Sequence, residues 1–455
     1  MFNVSEHLKN KNLKIFFSGI GGISMSSIAA ALNQKGYKVS GSDINENSTV
    51  KLKDMGIEIF NSHKSENLEG CGMLVYNARI KNDNPEIIMA KELNIPIIKR
   101  SEMLGALISG YKTSVGVAGT HGKSTVTAMV SEIFIQANTN PSFFIGAEYP
   151  PVNSAYKLGS DDFCIVECDE FSDSFLNIYP DITAILNIEM DHPDFFKDLN
   201  AVIDSFEKFT ENTSNILVIN IDDENVIKAS QHYKGNIITY SLKDPSADIF
   251  INNINYPDGF PEFDIVTNNF IYTKLKLSVP GEYNIYNAAA AAGIGHSCKL
   301  DSQFIGKGLE LFKGVSRRFE CKGVYNGATV YDDYAHHPTA IKKSLLESNK
   351  IAKAINGNLW YIFQPHTYSR TNELFEEFCE ALSHSENLIL TEIYSAAEEN
   401  IYGISSENIA AKLNNCVFIK DFGEIEKYLR KRVQKNDLII IAGAGDINNL
   451  TKLLV

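Results

Sequence analysis

The run Gly119-Thr120-His121-Gly122-Lys123-Ser124-Thr125, entered from the apolar stretch Ser114 to Ala118, constrains this chain more than any other feature. It reads as a strand, a phosphate-cradling turn and a helix start. Such a turn needs small residues so that backbone N–H groups approach phosphate oxygens, a lysine to neutralise the terminal phosphates, and a hydroxyl for a magnesium ion. Lys123 and Ser124 fill the last two roles, so the pattern points to a bound nucleoside triphosphate. The match is partial, because Val117 stands where the common pattern has its first glycine. A strand, loop and helix of this kind belong to an open α/β sheet that binds its ligand at the carboxyl ends of the strands.

At 455 residues the chain is too long for one typical core, and two to four domains are expected. Strand-to-helix alternation divides it into three α/β segments, 1-108, 109-314 and 315-455. The first begins with the strand Lys14 to Ser18, the turn Gly19-Ile20-Gly21-Gly22 and a helix over Met25 to Gln34, followed by a strand that ends at Gly41-Ser42-Asp43. This is a Rossmann-like beginning, whose glycines admit a diphosphate at the helix start and whose acid is placed for a ribose hydroxyl. Ser24 replaces the third glycine of the dinucleotide fingerprint, which suits a nucleotide diphosphate such as a UDP-sugar better than NAD.

Within the central segment a pair of strands runs into acids: Phe163 to Val166 into Glu167-Cys168-Asp169-Glu170, and Ile182 to Ile188 into Glu189-Met190-Asp191-His192. Acids at strand ends beside a phosphate turn are where a magnesium ion and an attacking group belong. The last segment is predicted as a second doubly wound α/β domain, with a strand into Asp332-Asp333-Tyr334-Ala335-His336-His337-Pro338 and another into Gln364-Pro365-His366. Gly443-Ala444-Gly445 reads as a strand-to-helix turn. The paired histidines lack a serine or cysteine in a nucleophile elbow, so covalent catalysis is not indicated.

A formal net charge of -14 argues against a broad nucleic-acid or anionic-membrane surface. Seven cysteines, odd in number and set among apolar runs, support neither a disulfide framework nor a zinc site and are expected to be buried thiols. The N-terminus lacks a basic start with an apolar core, and no apolar run approaches the ~18 residues of a membrane span. A cytoplasmic protein without membrane insertion is the expectation.

Several motifs occur here in the order seen in Mur ligases. They are Ala118 to Thr125, Glu167-x-Asp169-Glu170, Asn187-x-x-x-Asp191-His192, Val279-Pro280-Gly281-x-x-Asn284-x-x-Asn287-Ala288, Arg317-Arg318-Phe319-Glu320 and Asp332 to Pro338. The chain resembles that family over essentially its whole length. The resemblance implies three domains: a Rossmann-like UDP-binding domain, a central P-loop ATPase-like domain and a C-terminal Rossmann-like domain. It also implies an ATP-dependent ligase. With the Gly19 to Gly22 turn and Phe363 to Thr371, the similar branch joins L-alanine to the muramate carboxylate of UDP-N-acetylmuramate through an acyl phosphate. A murein peptide recycling ligase and a catalytically inactive nucleotide-binding regulator are the alternatives.

By the same resemblance, Gly19, Gly21, Gly22, Ser42 and Asp43 hold the UDP-sugar. Gly119, Thr120, His121, Gly122, Lys123, Ser124 and Thr125 hold the ATP phosphates, Asn284 and Asn287 lie near adenine, and Arg317, Arg318 and Asp333 reach the phosphates and ribose. Magnesium falls to Ser124, Glu170 and His192. Lys123, His192, His336, His366 and Arg370 form the catalytic set, the last three meeting the muramate carboxylate and the incoming alanine. Tyr283 replaces the histidine usual before the first of the two asparagines, and Thr367 stands where some relatives carry arginine.

Overall fold

The computed structural model describes residues 4–77, 80–192, 195–268, 270–396 and 398–455. The apolar runs become the strands of three sheets. The first is wholly parallel and reads, across its width, Glu58–Phe60, Lys38–Ser42, Lys14–Ser18, Met73–Tyr76 and Ile97–Lys99. Its Lys14–Ser18 strand is central, so the turn that follows opens where the strand order reverses, the usual ligand crevice of such sheets.

The second sheet has ten strands. Around its centre Ile182–Ile185, Thr113–Ala118 and Phe163–Glu167 run parallel and side by side. That pairing places the phosphate turn between the two acid-bearing strand ends. The hairpin of Ser142–Tyr149 with Ser154–Lys157 closes one edge in antiparallel fashion. The third sheet has six strands, with Glu320–Tyr325 antiparallel to Ala328–Asp333 and its other described pairings parallel. Its strands Leu359–Phe363 and Leu438–Ala442 are buried at every residue. Helices cover both faces of such a sheet, which is why these strands read as continuous apolar runs without alternation.

By contacts the chain separates into two compact units. One is Met1–Asn252 with Ile265–Tyr272 and Tyr286–Leu309; the other is Asn253–Asp264 with Thr273–Ile285 and Glu310–Val455. The first unit takes in both the opening sheet and the phosphate turn. The cysteine expectation needs correction: all seven are free, but Cys321 is exposed and Cys298 and Cys416 are only half-buried. No helix among the described residues is long and apolar enough to cross a membrane. The turn Gly443-Ala444-Gly445 leads into a short 3-10 helix, Asp446–Leu450.

In the second unit the start of the Leu438–Ala442 strand is tied down by Asp437, which is 1% exposed. Its carboxylate accepts from the amides of Asn358 (2.8 Å) and Gln434 (2.9 Å) and from the Trp360 indole N–H (3.0 Å). Burial opposes its charge, but these donors outweigh it and hold the carboxyl below the usual range. Asp437→Ala strands those donors and should cost about 3 kcal/mol in urea unfolding at pH 7. A depressed carboxyl contributes stability above the unfolded value near 4, so the gap between wild type and variant should close as pH falls below it.

Candidate active site

Two glycines let the phosphate turn form. Gly119 has φ +144°, and a Cβ there would sit 2.9 Å from the Leu186 Cβ; Gly122 has φ +87°, and a Cβ there would sit 2.5 Å from the Asn287 Oδ1. Lys123 then opens the helix Lys123–Gln136, with Ser124 and Thr125 in its first turn. The turn is gripped from the neighbouring strand end by Asn187. The Asn187 Oδ1 accepts from the His121 amide (2.8 Å), its Nδ2 donates to the His121 carbonyl (3.0 Å), and its own carbonyl accepts from the Thr120 amide (3.0 Å). The Thr120 hydroxyl accepts from the Glu189 amide at 2.9 Å. The turn is thus held in shape by backbone, amide and hydroxyl bonds of the protein itself.

Beneath it lies Glu170, 1% exposed. The Lys123 Nζ donates to both of its carboxylate oxygens, at 2.8 and 3.1 Å, and to the carbonyls of Gly119 (2.7 Å) and Thr120 (3.2 Å). Burial pushes the Glu170 carboxyl above its usual range, while Lys123 pulls part of the way back. His192 comes next, its Nε2 3.7 Å from the Glu170 Oε1 and its ring packed on Phe171 with centroids 4.9 Å apart. Its backbone is left-handed at φ +53°. Such a conformation costs a non-glycine residue of order 1–3 kcal/mol, and residues held so cluster at functional sites.

Asp169, Glu170 and His192 offer ligand atoms all within 4.8 Å of one another. Two carboxylates, Glu170 buried and Asp169 half-buried, fit a hard divalent cation, and the half-buried imidazole adds a third donor. Ser124 is half-buried in the first turn of the helix that Lys123 opens.

In the first sheet the Gly21 amide donates to the Asp43 Oδ2 at 2.8 Å, so the acid at the second strand's end is bonded to the glycine turn. A Cβ on Gly21 would lie 2.0 Å from the Ser48 Oγ. Gly19 has φ +76°, and its amide bonds the Ser42 carbonyl at 2.9 Å. The Ser42 hydroxyl, however, turns inward and donates to the Glu86 Oε2 at 2.9 Å. Glu86 is fully buried and also gathers Ser18, Asn67 (2.8 Å) and the His63 Nδ1 (3.0 Å). His63 and Glu86 belong to no sequence motif, and only the sheet brings them to the strand ends.

In the second unit the two adjacent arginines differ. Arg317, at φ +60°, is consumed internally: its guanidinium donates to the Gly443 carbonyl and lies 3.5 Å from the buried Asp332 and 4.9 Å from the Tyr334 ring. Burial, against the pull of Arg317, raises the Asp332 carboxyl to about 6. Arg318 is exposed, its guanidinium 5.7 Å from the same Tyr334 ring. The Asp333 Oδ2 accepts from the Ser344 hydroxyl at 2.6 Å, and burial raises its carboxyl. Asn284 is buried, its Nδ2 donating to the Pro280 carbonyl at 2.7 Å. Asn287 lies instead in the first unit, against Gly122.

His336, His366 and Arg370 do come together. The His336 Nδ1 bonds the Tyr334 carbonyl at 2.9 Å, which places its proton there and leaves Nε2 as the acceptor. Its ring meets that of His366 edge-on at 6.1 Å, and His366 stacks on Tyr394 at 5.5 Å. Burial, with Arg370, His366 and Arg318 adding repulsion, lowers His336 to about 4; burial and Arg370 lower His366 as well. Thr367, at φ +66°, caps the helix Tyr368–Glu373 that carries Arg370. Glu398, which no sequence motif marks, pins that helix by accepting from the Ser369 hydroxyl (2.7 Å) and amide (3.0 Å).

Comparison with known proteins gives this arrangement a family. Models described as Mur ligase family, catalytic domain, Mur ligase middle domain, and Mur ligase, glutamate ligase domain match residues 14–112, 117–295 and 317–445. The chain belongs to the Mur ligase family. It is 42% identical to the UDP-N-acetylmuramate–L-alanine ligase of Caldicellulosiruptor bescii, over 97% of this chain and 98% of the relative. The enzyme of the same name from Clostridium tetani is 41% identical over 95% and 96%. The crystal structure of UDP-N-acetylmuramate–alanine ligase MurC from Thermotoga maritima is similar at a TM-score of 0.81, with 28% identity over 97% of this chain and 98% of that one. A murein peptide ligase from Psychrobacter arcticus shares the fold, with a TM-score of 0.68 and 21% identity over 97% and 98%.

The contrast between the two arginines of this Mur ligase is open to measurement. Arg317→Ala should cost about 1–3 kcal/mol in urea unfolding, since it strands Asp332 and two carbonyls, whereas Arg318→Ala should leave stability alone and lower turnover. Acid provides another test. An unfolded histidine takes up its proton near 6.5, while His336 resists down to about 4. Its stabilising effect is therefore complete above 6.5 and declines as pH falls toward 4, and His336→Gln should flatten that region of the stability-against-pH curve.

Proposed function

We propose that this protein is an ATP-dependent ligase that joins L-alanine to the muramate carboxylate of UDP-N-acetylmuramate, acting in the cytoplasm on peptidoglycan precursors. The observation that carries this reading is full-length similarity to enzymes of that name, with Lys123 and Glu170 facing each other under the phosphate turn. The working domains are 1-108 for the UDP-sugar, 109-314 for ATP and 315-455 for the amino acid.

In this reading the turn amides of Gly119 to Gly122 and the Lys123 ammonium orient the triphosphate, neutralising charge as the γ-phosphoryl group moves to the carboxylate. ADP leaves, and the amine of alanine then displaces phosphate from the acyl carbon. Asp169, Glu170 and His192 would hold the magnesium ion, with Ser124 contributing from the helix start. When bound, that ion supplies further charge neutralisation at the phosphates. His336, neutral at pH 7 with Nε2 as acceptor, and His366 receive the amine and its proton. Arg370 binds a carboxylate, for which its planar fork is suited. Asp43 takes the ribose and the Gly19 to Gly22 turn the diphosphate.

Phosphate release from ATP in the presence of magnesium and UDP-N-acetylmuramate should depend on L-alanine, and the product should be heavier by one alanyl residue. Release with a tripeptide and not with alanine would move the assignment to peptide recycling. Lys123→Ala should lower turnover about 100-fold or more, the scale of losing a preorganised charge donor.

A further inference from the structure

One cation of the first unit takes no role in that chemistry. Arg100 opens the helix Arg100–Ile108, immediately after the strand Ile97–Lys99. Its Nη1 donates to the Ser24 Oγ at 2.8 Å, and its Nη2 stands 3.7 Å from the Asp169 Oδ2. Ser24 is the second residue of the helix Ile23–Gln34, directly after the Gly19 to Gly22 turn. Asp169 precedes Glu170 and belongs to the three-residue acid and imidazole group. One guanidinium therefore stands between the helix start that follows the turn assigned to the diphosphate and the acid cluster assigned to the cation.

The placement is electrostatically incomplete. A helix N-terminus carries partial positive charge and disfavours a neighbouring cation. The first turn of Ile23–Gln34 holds no acidic residue and its cap, Gly22, has no side chain, so the Asp43 carboxylate on the Gly21 amide is the anion facing that turn. Asp169, at 3.7 Å, pairs with the guanidinium by charge alone, beyond hydrogen-bond distance, so a closer anion can draw the guanidinium away from it. Arg100 is also only 20% exposed at its side chain, so water compensates it poorly. An anion lying between the turn and the guanidinium would satisfy both.

The helix of Arg100 is also fitted to the segment that follows Glu170. A Cβ on Gly105 would lie 2.1 Å from the Asn177 carbonyl oxygen, and the Asn177 Nδ2 donates to the Ser101 Oγ at 3.0 Å. Arg100 thus projects from a helix packed closely on the segment that follows the acid-bearing strand end.

We propose that Arg100 binds the diphosphate of the UDP-sugar and couples its arrival to the acid cluster. The diphosphate draws the guanidinium from Asp169, whose carboxylate then becomes available to a divalent cation. Sugar nucleotide and cation accordingly strengthen each other's binding, and by linkage the factor is the same in both directions. This inference rests on the proposed UDP-sugar reading of the Gly19 to Gly22 turn.

The test is equilibrium binding without turnover. Calorimetry gives the affinity of wild type, Arg100→Met and Arg100→Lys for UDP-N-acetylmuramate, and electron paramagnetic resonance follows Mn2+ binding with and without it. Arg100→Met should bind the UDP-sugar about 10- to 100-fold more weakly, the worth of a lost charge-assisted pair. It should also lose the tightening of Mn2+ that the sugar nucleotide produces in wild type. Arg100→Lys keeps the charge without the fork and should fall between the two. Binding of the ATP analogue AMP-PNP reports folding, and if Arg100→Met fails that control the lysine variant decides. Wild-type affinity for the UDP-sugar in the folded variants, or Mn2+ binding indifferent to it in wild type, overturns the proposal alone. A wild type that does not bind UDP-N-acetylmuramate overturns the functional reading and this inference with it.

Discussion

A buried carboxylate keeps its charge only where a cation or a set of hydrogen-bond donors compensates it, and at Glu170 Lys123 supplies the cation. Much of the first unit is organised around that pairing. The lysine reaches the acid because the phosphate turn folds back over it, with two of the turn's carbonyls holding the ammonium. The turn holds its shape because Asn187 and Glu189 bond it from the next strand end. Those strand ends are neighbours because Ile182–Ile185, Thr113–Ala118 and Phe163–Glu167 pair in parallel. Lys123 and Glu170 are each other's partner in the free protein, and each is also the group assigned to a ligand. A nucleotide and a cation arriving together can replace the pair with partners of the same sign of charge and strand neither group.

The second unit shows a division of labour between adjacent residues. Arg317 and Asp332 are turned into the structure, while Arg318 is left exposed. Asp333 is buried against Ser344. The two histidines and Arg370 converge, and their mutual repulsion together with burial keeps His336 uncharged near neutrality. An uncharged imidazole with its proton fixed on one nitrogen can accept a proton on the other, which the chemistry of an attacking amine requires. The left-handed backbone at Arg317 and Thr367, like that at His192, marks loops whose shape is imposed by their surroundings.

The phosphate turn, the glycine turn of the first sheet, the three-sheet organisation and the strand-end acids were all legible, because each depends on local features: a glycine at positive φ, an apolar run, a residue type at fixed spacing. The pair Arg317 and Arg318 was not resolved, since nothing in two identical neighbouring side chains says which one faces inward. Ser42 stood at the expected strand end, yet its hydroxyl faces Glu86, a partner 44 positions away. The cysteine reading failed at Cys321 because an edge strand leaves one face uncovered.

The amino-acid sequence by itself determined that a glycine turn of the phosphate-cradling type follows a buried strand, that a second glycine turn opens the chain, and that the order of motifs is that of a Mur ligase. These rest on short-range geometry, which a run of about seven residues specifies on its own. Only the tertiary structure decided that Glu170 lies under Lys123, that Glu86 collects Ser18, Ser42, His63 and Asn67, and that Arg100 stands between Ser24 and Asp169. Those partners lie 19 to 76 positions apart along the chain. Parallel pairing brings strand ends together regardless of that separation, and no local pattern records which ends will meet.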